Sequence, residues 1–63
     1  MALTKRDELL IDGLQIYGCS EDETVGIWLH LRKSTEWMDR FMDWMAENRT
    51  ATPEELVKKA LSM

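Results

Sequence analysis

Apolar residues recur along this chain at intervals of three and four, in four blocks separated by polar or turn-forming residues, the periodicity of amphipathic helices. The first block predicts a helix over about residues 4–17, with Leu9, Leu10, Gly13, Leu14, Ile16 and Tyr17 on one face. The second predicts a helix over about 20–32 and is wider. At about 100° per residue, Ile27, Leu31, Trp28, Val25 and Leu29 cover an arc of roughly 200°. Asp22, Gly26, His30 and Lys33 lie on its narrow polar side. One neighbour does not cover such an arc, so this helix is either central or carries a second face for a partner. The third block, about 35–48, sets Trp37, Met38, Phe41, Met42, Trp44 and Met45 over about 160°. The fourth, about 53–62, buries Leu56, Val57, Ala60 and Leu61. No segment alternates apolar and polar residues between turn signals, so no strand is expected.

The boundaries carry their own chemistry. Ser20 with Glu23, and Thr4 with Asp7, have the spacing of capping boxes that satisfy orphan amides at a helix start. Thr52-Pro53-Glu54-Glu55 adds a proline at the first helical position, and Ala51 is placed to staple against Leu56. Ser34 or Thr35 caps the third helix. Gly18 and Asn48 are expected as left-handed terminators. Gly13 costs on the order of 1 kcal/mol relative to alanine in mid-helix, which predicts close approach of a bulky side chain, a tryptophan by expectation. The fold class is all-α: a compact bundle of four short helices in one domain, residues 1–63, with helices two and three supplying most of the core.

Composition narrows the picture. The 63 residues are 44% apolar and 32% charged, as in a folded globular chain. Apolar runs are far shorter than the roughly 20 residues that span a membrane. The amino terminus passes directly into a charged helix start, which predicts no signal peptide. With a single cysteine and no disulfide framework, a reducing, cytoplasmic setting is expected. The net charge of −4 argues against a nucleic-acid partner, because backbone binders are usually basic. Much of it lies in first turns, where the helix dipole favours anions.

Catalysis is poorly provided for. Cys19 and His30 are the only cysteine and histidine, and the second helix would hold them roughly 15 Å apart. No zinc-ligand cluster and no glycine-rich phosphate loop is present, so no catalytic residue, metal, cofactor or small-molecule substrate is expected. Two surface features remain. Glu36, Asp39, Asp43 and Glu47 form an acidic surface whose like-charge pairs, Asp39 with Asp43 and Asp43 with Glu47, each cost a few tenths of a kcal/mol. The Met and Trp content suggests a face that receives a protein partner or a second copy in a homodimer, expected around Ile27, Trp28, Leu31, Met38 and Met42.

The run from helix one through Gly18-Cys19-Ser20 into helix two resembles a helix-turn-helix. Where that family places a buried aliphatic six residues after the turn glycine, this chain has Thr24. The second helix opens with Glu21, Asp22 and Glu23, where contact with phosphates calls for basic residues. DNA binding would further require Arg32, Lys33 and Arg40 to form one continuous patch. Ubiquitin-associated domains are similar in scale, but their Met-Gly-aromatic loop is missing here. The stretches Gly18-Cys19-Ser20-Glu21-Asp22-Glu23 and Asn48-Arg49-Thr50-Ala51-Thr52-Pro53-Glu54-Glu55-Leu56 resemble segments of short uncharacterised proteins of anaerobic gut bacteria, a resemblance that implies no known activity. The expected function is a non-enzymatic protein–protein interaction module; the alternative is a helix-turn-helix-like regulatory module that reaches DNA as an oligomer or through a basic partner.

Overall fold

Four side-chain caps begin four helices. In the computed structural model, which describes residues 3–63, these are α1 (Lys5–Ile16), α2 (Glu21–Leu31), α3 (Thr35–Glu47) and α4 (Pro53–Leu61). The expected domain starts at Met1, and its first two residues lie outside the described ones. Thr4, Ser20 and Thr52 each close a capping box with Asp7, Glu23 and Glu55. Ser34, rather than Thr35, caps α3 by accepting from the Trp37 amide. Gly18 adopts φ 91°, and the chain closes α1 with Gly18 N–H to Gln15 O and Cys19 N–H to Leu14 O, each 3.0 Å. That pairing is a Schellman motif, and its left-handed residue is the one glycine in the chain with positive φ.

Asn48 ends α3 by a different device. Its backbone is not left-handed (φ −122°); its side-chain amide instead donates to the Trp44 carbonyl at 2.8 Å. Gly13 does sit at a close approach, but the neighbour is a methionine rather than a tryptophan. A methyl group at Gly13 would lie 3.2 Å from Met45 Cε. The Tyr17 hydroxyl fastens the same junction of α1 and α3 by donating to the Met45 carbonyl.

All four helices contribute to one core: Leu10 and Leu14, Ile27 and Leu31, Met38, Phe41 and Met45, Leu56 and Ala60. Phe41 is the largest side chain fully out of solvent. Helix α2 packs chiefly against α1 on one side and α4 on the other, while α3 closes the bundle with lesser contacts to each. The molecule measures 31 × 22 × 18 Å. Its shortest extent is less than two helix diameters, so every helix keeps an outer side in water.

That thinness corrects the expected apolar faces. Leu9 and Ile16 are 56% and 82% exposed. On the helical wheel they lie roughly 120–140° from the midpoint of Leu10 and Leu14, beyond the reach of either neighbour. Val25 and Leu29 are likewise exposed, at 43% and 47%, and Leu61 at 67%. The wide arc of α2 is therefore divided. Thr24, Ile27 and Leu31 enter the core, and Val25 with Leu29 point outward.

Candidate functional site

Between α2 and α4 runs a groove of about 320 Å³ whose walls are almost entirely apolar. Its floor is Gly26 and Ile27 from α2, and its far wall is Val57, Ala60 and Leu61 from α4. Gly26 is central to its shape. A Cβ built there meets no atom within 4 Å, so neither the backbone nor a close neighbour asks for glycine at this position. What the missing side chain leaves is open space in the groove.

Two polar elements border that space. Asp22 and Glu23, from the first turn of α2, are its only formally charged lining residues. Glu23 Oε1 accepts from the Ser20 amide at 2.9 Å, and no ion pair to either carboxylate occurs among the described residues. The second is His30, whose ring stacks on Trp37 at 5.6 Å between centroids. His30 Nε2 is out of solvent and has no hydrogen-bond partner among the described residues. An orphaned buried nitrogen of this kind costs about 1–3 kcal/mol unless a partner satisfies it.

The residues that the sequence singled out as an interface mostly lie elsewhere. Leu31 and Met38 are 0% and 2% exposed, part of the core, while Ile27, 3% exposed, belongs to the core and meets the groove only at its floor. For Leu31 the cause is that α1 and α4 both pack against α2, covering the middle of its arc; Met38 lies on the side of α3 that faces the same core. Trp28 and Met42 are partly buried. Trp28 donates its indole N–H to Asp7 Oδ1 at 3.0 Å, and the Arg32 guanidinium lies over its ring at 4.8 Å. These bonds tie the start of α1 to the end of α2. The Trp28 indole, followed by the Thr4 amide and hydroxyl, holds the Asp7 carboxyl below its ordinary pKa.

The acidic surface of α3 is exposed along its whole length, yet half of it is paired. Asp39 receives Arg6 at 2.8 Å, and Glu36 receives Arg40 at 2.6 Å. Asp43 and Glu47 border a second hollow, about 530 Å³, together with Trp37, Trp44, Arg40 and Lys59. With carboxylates and cations interleaved there, the face presents mixed charge. A third hollow, about 450 Å³, joins Leu9 and Met42 beneath the Arg6–Asp39 pair.

Cys19 is buried, and its thiol is pushed above its ordinary pKa, first by burial and then by the Glu23 charge. A protonated, enclosed thiol is a poor nucleophile. Among the described residues no group of three His, Cys, Asp or Glu side chains converges as a metal site, and no helix is long and apolar enough to cross a membrane.

The groove was missed in the sequence because Asp22, Gly26 and His30 read as the polar back of α2. The available signal was a glycine with no capping role, flanked at four-residue spacing by a carboxylate and an imidazole. Fold and surface together define a small all-α domain with an open apolar groove between α2 and α4. No protein-family model, curated protein or solved structure matches the chain.

Proposed function

We propose that this chain is a non-catalytic helical protein-interaction module, that it acts in the cytoplasm, and that the α2–α4 groove receives its partner. The observation that carries this reading is the groove itself: apolar walls, with a floor kept open by a mid-helix glycine that nothing around it requires. An amphipathic helix can lay its apolar face into a hydrophobic groove of this kind. The enclosed, protonated Cys19 fits a module without nucleophilic chemistry. Parallel capture from native lysate with the wild-type chain and Gly26→Leu tests the reading. A partner retained by the first and lost by the second supports it. Partners retained equally by both place the contact elsewhere.

Thr24 gives a second reading some support, since it is buried at the position where a helix-turn-helix places an aliphatic residue. The basic residues are less favourable to it. Arg32 lies on Trp28 beside Asp7, Arg40 is paired with Glu36, and the first turn of α2 is acidic. Fluorescence anisotropy with duplex DNA at low salt separates the readings. Binding that weakens steeply with salt would favour the regulatory module.

A further inference from the structure

We infer that the occupant of the α2–α4 groove is a basic amphipathic helix, which seats aliphatic side chains over Gly26 and sets a lysine or arginine against Asp22 and Glu23. The inference rests on the groove being the contact surface, and it names the chemistry of the partner. Its first support is shape. Gly26 leaves the groove open between the ridge of α2 and the exposed Leu61 of α4, a form that takes side chains spaced three or four apart on a helix.

The second support is charge. The positive end of a helix dipole is equivalent to roughly half an elementary charge. The first turn of α2 holds three carboxylates, Glu21, Asp22 and Glu23, and so more anionic charge than the dipole compensates. Two of the three line the groove, and no cationic side chain does. A second copy of this chain fits less well. A second copy would bring to the groove a patch that itself carries two carboxylates and no cation, between chains that each have a net charge of −4.

The test uses three synthetic helical peptides with one leucine pattern at i, i+3 and i+7, differing only in flanking residues: lysine, glutamine or glutamate. Each is titrated into the isotopically labelled chain while backbone amide resonances are followed. The expected result is saturable binding of the lysine peptide, with shifts centred on Gly26, Val57 and Leu61. Gly26→Leu should weaken it at least about tenfold, the effect of losing one well-buried aliphatic contact. Melting curves verify that this variant is folded, and open space at Gly26 makes that the expectation. Asp22→Lys should weaken the lysine peptide several-fold and strengthen the glutamate peptide. Equal affinity for all three peptides, lost in Gly26→Leu, would overturn the basic partner and leave the groove as the contact surface. Shifts that depend on protein concentration without peptide, at the same residues, would make a second copy the occupant. If no peptide binds and capture is insensitive to Gly26→Leu, both the inference and the reading beneath it fall.

Discussion

Gly26→Ala is expected to make this domain more stable. The substitution lies at the sixth of eleven residues in α2, where glycine costs about 1 kcal/mol relative to alanine through backbone entropy. No opposing steric term arises, because the added methyl meets nothing within 4 Å. Unfolding entropy near 60 °C is about 2.1 cal/mol/K per residue, or roughly 130 cal/mol/K for a chain of this length. A gain of about 1 kcal/mol therefore raises Tm by about 8 °C. Thermal melts followed by circular dichroism at a fixed protein concentration resolve a shift of that size easily. Gly18→Ala supplies the opposing control. At φ 91° a Cβ is strained by roughly 1–2 kcal/mol, so this variant should melt several degrees lower. An unchanged or lowered Tm for Gly26→Ala would mean that α4 lies closer to α2 than the open groove implies, and the docking surface would go with it.

Phe41→Ala removes the largest fully buried side chain and is expected to cost about 3–5 kcal/mol, leaving little folded protein at 37 °C by circular dichroism. Thr24→Val replaces a buried hydroxyl that has no partner among the described residues. It should stabilise by about 1 kcal/mol in urea titrations, whereas a loss would reveal a hydrogen bond to that oxygen. Because the Asp7 pKa is lowered on folding, its carboxylate stabilises the fold fully above the ordinary value of 3.8, and that contribution is lost as pH falls through the lower folded value. Trp28→Phe removes the indole donor that contributes most to this shift, so an NMR titration of Asp7 should move back toward 3.8.

Element boundaries were highly legible because they depend on residues three apart. Thr4 with Asp7 and Ser20 with Glu23 close the bonds their spacing implied. Faces were less legible. A helical wheel shows where apolar residues cluster, but not how many neighbours cover them. Ile16 and Leu29 therefore read as core, although the bundle is too thin to enclose them. Leu31 and Met38 departed in the opposite direction, expected at a surface but enclosed in the core. The groove lay beyond periodicity altogether, because it depends on how α4 sits across Gly26, a contact between residues some thirty positions apart.

The four helix starts also bear on the time the chain needs to fold. Each is set by a bond reaching only three residues, and few contacts in the bundle join residues distant in the chain. Search over long loops is therefore a small part of the barrier, and relaxation in the microsecond-to-millisecond range is expected. Rapid re-formation leaves little time for edges or apolar surface to meet other chains while open. A domain this small can then display Val25, Leu29 and Leu61 to solvent and still be recovered whole after each excursion.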